Sequence, residues 1–145
     1  RIYGFPLYLT ATVRSIIKHY ATTRIKFVID GEPHEQDLLM FTIGNGAREG
    51  GGFLVTPEAK NDDGIFNYLM VDPISRLMMF RLLPVVMQGQ HGRYSFVTLK
   101  TFKTMSFEAD RAVPIHLDGE LWAPYEADVR KVTIEMFPGA VEVVR

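Results

Sequence analysis

The sequence predicts a mainly β domain: a β-sandwich of antiparallel strands, with an N-terminal helix and a mid-chain helical segment. Three observations predict it. Short runs alternate apolar and polar residues with period two, most cleanly where Val132, Ile134 and Met136 interleave with Lys131, Thr133 and Glu135. Turn signals recur between such runs, at Asp30-Gly31, Asp63-Gly64, Asp118-Gly119 and Pro138-Gly139. Helical spacing is confined to two segments. A barrel satisfies the same signals.

Residues 7–20 (LYLTATVRSIIKHY) place Leu9, Val13, Ile16, Ile17 and Tyr20 on one helical face and Arg14 and Lys18 on the other. Pro6 suits a first turn. This is an amphipathic helix covering a core rather than one lying on a membrane. Residues 24–30 (RIKFVID) alternate Ile25, Phe27 and Ile29 with Lys26 and Val28, a strand that ends in a hairpin turn at Asp30-Gly31. Residues 38–44 (LLMFTIG) are continuously apolar. They predict a strand buried on both faces, although periodicity alone also admits a helix.

The stretch Asn45–Val71 (NGAREGGGFLVTPEAKNDDGIFNYLMV) is the densest in the chain. Gly50, Gly51 and Gly52 are costly in a strand interior, so a turn or close backbone approach is expected. FLVT and IFNYLMV read as strands around the polar loop PEAKNDDG. Asp72-Pro73 predicts a helix start, with Asp72 as N-cap and Pro73 at the first position. Helical spacing continues through Ile74, Leu77, Met78 and Arg81, and Pro84 predicts a kink or two short helices. Further strands follow around Val97 and Leu99, around Met105 and Phe107, and at Ile115 and Leu117. A turn lies at 109–111, and Val141 with Val143 forms a last strand.

A length of 145 residues suits one domain with its own core, and 47% hydrophobic residues exclude a disordered chain. The balance of 16 basic and 17 acidic residues leaves no global field to steer nucleic acid. The absence of cysteine excludes disulfides and thiolate metal sites and favours a cytoplasmic home. The longest apolar run falls well short of the roughly 20 residues a membrane helix needs. The chain opens at Arg1 directly before a helical pattern, as expected of a piece of a longer protein.

Two of the Asp-Gly pairs continue as D-G-E, in IDGEP at 29–33 and LDGEL at 117–121. Each reads as a hairpin turn. Asp118 and Glu120 also have the composition of a paired carboxylate for general-base work or magnesium binding, if the turn keeps them together. The Asp62/Asp63 loop reads either as a solvated acidic loop or as a hard-cation site built from carboxylate and backbone carbonyl oxygens. His91, between glycines, reads as a loop or capping group before it reads as a catalyst. His19, His34 and His116 show no ligand spacing. Trp122 and Tyr125 read as packing residues. The glycine run is not a phosphate-binding Walker loop, because no G-K-[ST] follows it.

In order, NGAREGGGFLVTPEAKNDDGIF at 45–66, LLPVVMQGQH at 82–91 and IHLDGEL at 115–121 resemble the diacylglycerol kinase and sphingosine kinase-like lipid kinases, especially the bacterial members. The helix at 7–20 resembles the segment that enters that family's second domain. The resemblance implies that the chain is the β-sandwich domain that closes the active-site cleft. The nucleotide-binding domain, with its G-G-D-G-T loop, is absent from this sequence. The implied reaction transfers the γ-phosphoryl of ATP to a lipid hydroxyl at the membrane surface. Glu120 matches the family's general base, and Asp118 the aspartate near the phosphates and catalytic magnesium. Asp63 matches the aspartate of a Mg²⁺ site whose other protein ligands are the carbonyls of Lys60 and Ile65. The implied partners are the lipid and the nucleotide domain of the same chain. An exposed face left by that domain would favour a homodimer. The alternatives are a non-catalytic lipid-binding module and an unrelated hydrolase using Asp118 and Glu120.

Overall fold

Alternating burial along the strands builds the core. The computed structural model describes residues 5–50 and 52–140. Strand β1 (Thr23–Ile29) buries every second residue, with Ile25, Phe27 and Ile29 inside. It turns at Asp30-Gly31, where both residues have positive φ (48° and 89°), and returns as β2 (Glu32–Leu38). That is the two-residue hairpin geometry whose twist matches the flanking strands. Strand β6 (Thr104–Ala109) pairs on the other side of β1, and β9 (Lys131–Glu135) pairs with β6, giving a four-stranded antiparallel sheet in the order β2-β1-β6-β9.

A second antiparallel sheet joins β3 (Met40–Gly44), β4 (Phe66–Val71) and β5 (Val97–Phe102) in that order. One face meets the first sheet, packing Phe41, Tyr68, Met70 and Phe102 on Phe27, Met105 and Phe107. Phe41 anchors the contact, edge-on to Phe27 at 5.3 Å and to Phe107 at 5.9 Å. Such aromatic pairs add about 0.5–1.5 kcal/mol beyond their area burial. The other face carries Leu69 and Val71, which pack with Phe53, Val55 and Val97 against Leu82 and Val86 of α2 (Arg76–Met87). Leu9 of α1 (Phe5–Lys18) joins this second core. The sandwich is therefore backed by a helical third layer.

Several expectations are corrected. Helix α1 buries Ile16 but leaves Ile17 exposed, and it ends at Lys18, before Tyr20. Tyr20 instead lies under the Arg76 guanidinium, 4.8 Å from the ring centre. Helix α2 is capped by Ser75, whose Oγ accepts from the Met78 N–H at 3.2 Å, and not by Asp72. Asp72 instead donates its N–H to the Phe96 carbonyl, next to the Val71–Val97 pair of β4 and β5, and so continues the sheet rather than opening the helix. Leu77 is exposed, and Leu82 and Val86 face the core. A single helix runs through Pro84, which lies on the exposed side.

The run 38–44 divides between two sheets. Leu38 ends β2, and β3 is an edge strand of the second sheet rather than one buried on both faces. FLVT is not a strand. Its Phe53 forms an isolated bridge to Glu49, while Leu54 donates to the Val86 carbonyl. The polar β2 was not expected. The strand expected at Val141 and Val143 lies outside the described residues.

Candidate functional site

The two D-G-E sequences fold alike and are used differently. Asp118 and Gly119 have φ of 51° and 87°, nearly the values at Asp30 and Gly31, and join β7 (Ile115–Leu117) to β8 (Glu120–Ala123). Asn and Asp adopt this left-handed region at the least cost after glycine. The Asp30 carboxylate accepts from the backbone N–H groups of Thr104 (2.8 Å) and Lys103 (3.0 Å), fixing the β5–β6 turn. Those bonds, Thr104 first, hold its carboxyl below the usual carboxylate range. The Asp118 and Glu120 carboxylates make no hydrogen bond or ion pair with any described residue, and both residues are exposed.

Among the described residues, strands β7 and β8 pair only with each other, forming a ribbon outside both main sheets. Its large side chains are not buried. Leu117, Leu121, Trp122 and Tyr125 are each more than half exposed, so Trp122 and Tyr125 are not packing residues within the described structure. A two-stranded ribbon has no core of its own. These exposed apolar side chains beside two exposed carboxylates are not accounted for by packing among the described residues.

Asp63 sits in the loop before β4, where its Oδ1 accepts from the Ile65 N–H at 3.2 Å. Gly64 follows with φ of 73°, its α-carbon facing Pro138. Lys60, Asp63 and Ile65 therefore share one loop, and Asp118 and Glu120 share one turn. No hydrogen bond or ion pair joins the two groups among the described residues. No cluster of three or more His, Asp or Glu side chains is gathered there either. An oxygen-only set of one carboxylate and two carbonyls fits Mg²⁺ with several waters. One carboxylate oxygen is already engaged in the Asx turn.

Gly50 and Gly52 lie in a tight turn. Phe53 N–H donates to the Glu49 carbonyl and Glu49 N–H to the Phe53 carbonyl, with Gly50 at φ 57°. Two buried polar residues then tie the segment down. Thr56 Oγ donates to the Gly46 carbonyl at 2.9 Å and lies so close to Gly44 that a Cβ there would collide with it. His91, fully buried in a short 3-10 turn, meets the Val55 carbonyl through Nε2 at 2.9 Å. A carbonyl can only accept, so Nε2 carries the proton. Burial pushes the His91 imidazole below its ordinary range, against the opposing pull of the Val55 bond. His91 is thus a capping group. His19, His34 and His116 are exposed.

Residues 4–145 match the family model described as the YegS C-terminal NAD kinase beta sandwich-like domain. The chain belongs to that family. Relatives of this domain include the protein named diacylglycerol kinase in Mycobacterium tuberculosis, 31% identical over 121 residues, 83% of this chain and 37% of the relative. Another is the protein of Chromohalobacter salexigens named "Probable lipid kinase YegS-like", 33% identical over 97 residues, 67% of this chain and 30% of the relative. A diacylglycerol kinase crystal structure from Bacillus anthracis superposes with a TM-score of 0.67 over 94% of this chain and 44% of that one. At 19% identity that likeness concerns the fold alone. The YegS-type domain described here spans well under half the length of these proteins. Among the described residues, no helix is long and apolar enough to cross a membrane.

Proposed function

We propose that this domain supplies the catalytic base of an ATP-dependent lipid kinase, with Glu120 as that base. The observation that carries the reading is the contrast between the two D-G-E hairpins. At like backbone angles in the turn, only the second leaves both carboxylates without a described partner, on a ribbon outside the two main sheets. Glu120 takes the proton of the lipid hydroxyl, whose oxygen bonds to the γ-phosphorus as the bond to the leaving ADP breaks. An ordinary glutamate is ionised at neutral pH, as this role requires. Asp118 stands beside the phosphates. ATP supplies the phosphoryl group, and Mg²⁺ offsets charge on it, in a reaction that depends mainly on positioning and charge neutralisation.

The nucleotide loop belongs, in this reading, to a further domain of the parent chain. Leu117, Leu121, Trp122 and Tyr125 form the face on which that domain closes, and the lipid reaches the cleft from the membrane surface on the cytoplasmic side. Asp63, with the Lys60 and Ile65 carbonyls, holds a bracing Mg²⁺. The names of the relatives support the reaction class and do not select among diacylglycerol, sphingoid bases and other lipid hydroxyls.

The first hairpin provides the control. In the full-length protein, Glu32→Gln should leave ATP-dependent lipid phosphorylation unchanged and Glu120→Gln should abolish it. Equal activity in the two variants contradicts the assignment. A non-catalytic lipid-binding module predicts no phosphorylation by the wild-type protein with any lipid of a hydroxyl-bearing panel.

A further inference from the structure

The pairing register of the β7–β8 ribbon gives Glu120 a fixed neighbour. Leu117 and Glu120 oppose each other directly across the Asp118-Gly119 turn, and His116 opposes Leu121 one step further along. Residues opposite each other in an antiparallel pair project from the same face, with β-carbons about 5 Å apart. The Leu117 and Glu120 side chains therefore leave the ribbon together. Ile115, two residues before Leu117, shares that face and packs on the first core. The register then slips by one between Ile115 and His116, so that Ile115 opposes Ala123 and Trp122 has no partner across the ribbon. A regular register would set Trp122 opposite Ile115. The extra residue sets the small, buried Ala123 there instead. Among the described residues of β7 and β8, Glu120 is thus the one charged group on a face otherwise made of Ile115, Leu117 and Ala123.

The first hairpin holds the same kind of pair and uses it differently. Ile29 opposes Glu32 across Asp30-Gly31, but Ile29 is 8% exposed and belongs to the first core. Leu117 is 54% exposed. Packing among the described residues therefore does not account for an aliphatic side chain opposite Glu120. Such a side chain takes water from one flank of a carboxylate and offers it no hydrogen bond in exchange. That flank matters in the phosphoryl-transfer reading, on which this inference rests. Water is the smallest hydroxyl acceptor and competes with the lipid for the base. If Glu120 takes the lipid's proton, the lipid oxygen bonds to the γ-phosphorus as the bond to ADP breaks. If it takes a proton from water, the water oxygen forms that bond and the products are ADP and inorganic phosphate. Excluding water from a closed site suppresses this side reaction.

We propose that Leu117 is a positioning residue that keeps water off Glu120, so that the γ-phosphoryl group goes to the lipid hydroxyl rather than to water. Leu117 acts through Glu120 and bonds to none of the reacting atoms. Closure of the nucleotide domain on the ribbon covers the half of Leu117 that this domain leaves exposed and completes the dry flank.

The test measures phospholipid and inorganic phosphate together, from one reaction of the full-length protein with ATP and a panel of dioctanoylglycerol, sphingosine and phosphatidylglycerol. Leu117→Ser should raise the ratio of inorganic phosphate to phospholipid at least tenfold at an unchanged melting temperature. Leu117→Ile, which keeps an aliphatic side chain of the same size, should restore the wild-type ratio. Leu117→Ser combined with Glu120→Gln should suppress both products, because the same base activates the water. A merely structural role for Leu117 lowers both products together and leaves their ratio unchanged, and that result overturns the proposal. Hydrolysis that persists in the double variant overturns it too. The two readings fail separately. A wild-type ratio in Leu117→Ser, with lipid phosphorylation lost in Glu120→Gln, removes only the role of Leu117. No phospholipid from the wild-type protein with any member of the panel overturns the phosphoryl-transfer reading and the role of Leu117 with it.

Discussion

His91 shows how a single buried group fixes a functional segment. Its Nε2–H holds the Val55 carbonyl, and the next residue, Thr56, holds the Gly46 carbonyl, so the loop before β4 is tied to the turns that follow α2 and β3. Because burial lowers the His91 pKa, the unfolded chain binds the extra proton first as pH falls. The stability that neutral His91 lends is complete above its ordinary value of about 6.5 and is lost as pH drops from there toward the lowered value. The melting temperature should therefore fall through this range. His91→Gln, which keeps an N–H donor, should flatten the slope, whereas a slope unchanged in this variant would place its origin elsewhere. Asp30 and Asp118 make a second comparison at this scale. Asp30→Asn weakens two backbone bonds and should cost roughly 1 kcal/mol, reduced by solvent screening at an exposed site. Asp118→Asn should stay within about 0.5 kcal/mol in urea denaturation. Asp30 lends its stability above the ordinary carboxylate value and loses it as pH falls toward its lowered one, and Asp30→Asn should remove that acid loss.

At the level of elements, strands with one wet face were legible in the sequence, and the glycine-containing turns were too. Thr23–Ile29, Thr104–Ala109 and Lys131–Glu135 follow their period-two patterns because one side of each meets the sandwich core. Strand β2 escaped because Glu32, Pro33, His34 and Glu35 are all exposed, leaving no alternation to read. FLVT misled for the opposite reason. Phe53 and Val55 are buried by the helical layer, and apolar content records burial without saying which backbone partners the segment finds. The start of α2 lies later than the sequence suggested because the Asp72 N–H is bound to the Phe96 carbonyl at the end of the β4–β5 pairing, leaving Ser75 to cap the helix. Chemistry was legible as residues and not as use. The D-G-E pairs are indistinguishable until contacts are known. The 60–65 loop allows its own test. Millimolar Mg²⁺ should slow amide exchange at Asp63 to Ile65 in wild type and not in Asp63→Ala. Identical exchange with and without the ion would make Asp63 an ordinary Asx-turn residue.

For the whole molecule, the architecture separates stability from chemistry. Two apolar cores hold the three layers together, while the β7–β8 ribbon packs Ile115 against the first and carries the exposed Asp118 and Glu120 carboxylates. In the proposed reading the ribbon completes a cleft only against a second domain. Purified residues 1–145 should fold yet show no ATP-dependent lipid phosphorylation, and turnover by this piece alone would refute the division of labour. The most direct measurement of the central claim is the single-turnover rate of lipid phosphorylation by the full-length protein carrying Glu120→Gln, with its melting temperature taken in parallel. Loss of a general base predicts a rate lower by about 10²–10⁴-fold at an unchanged melting temperature. A rate within a few-fold of wild type, in a folded variant, would contradict it.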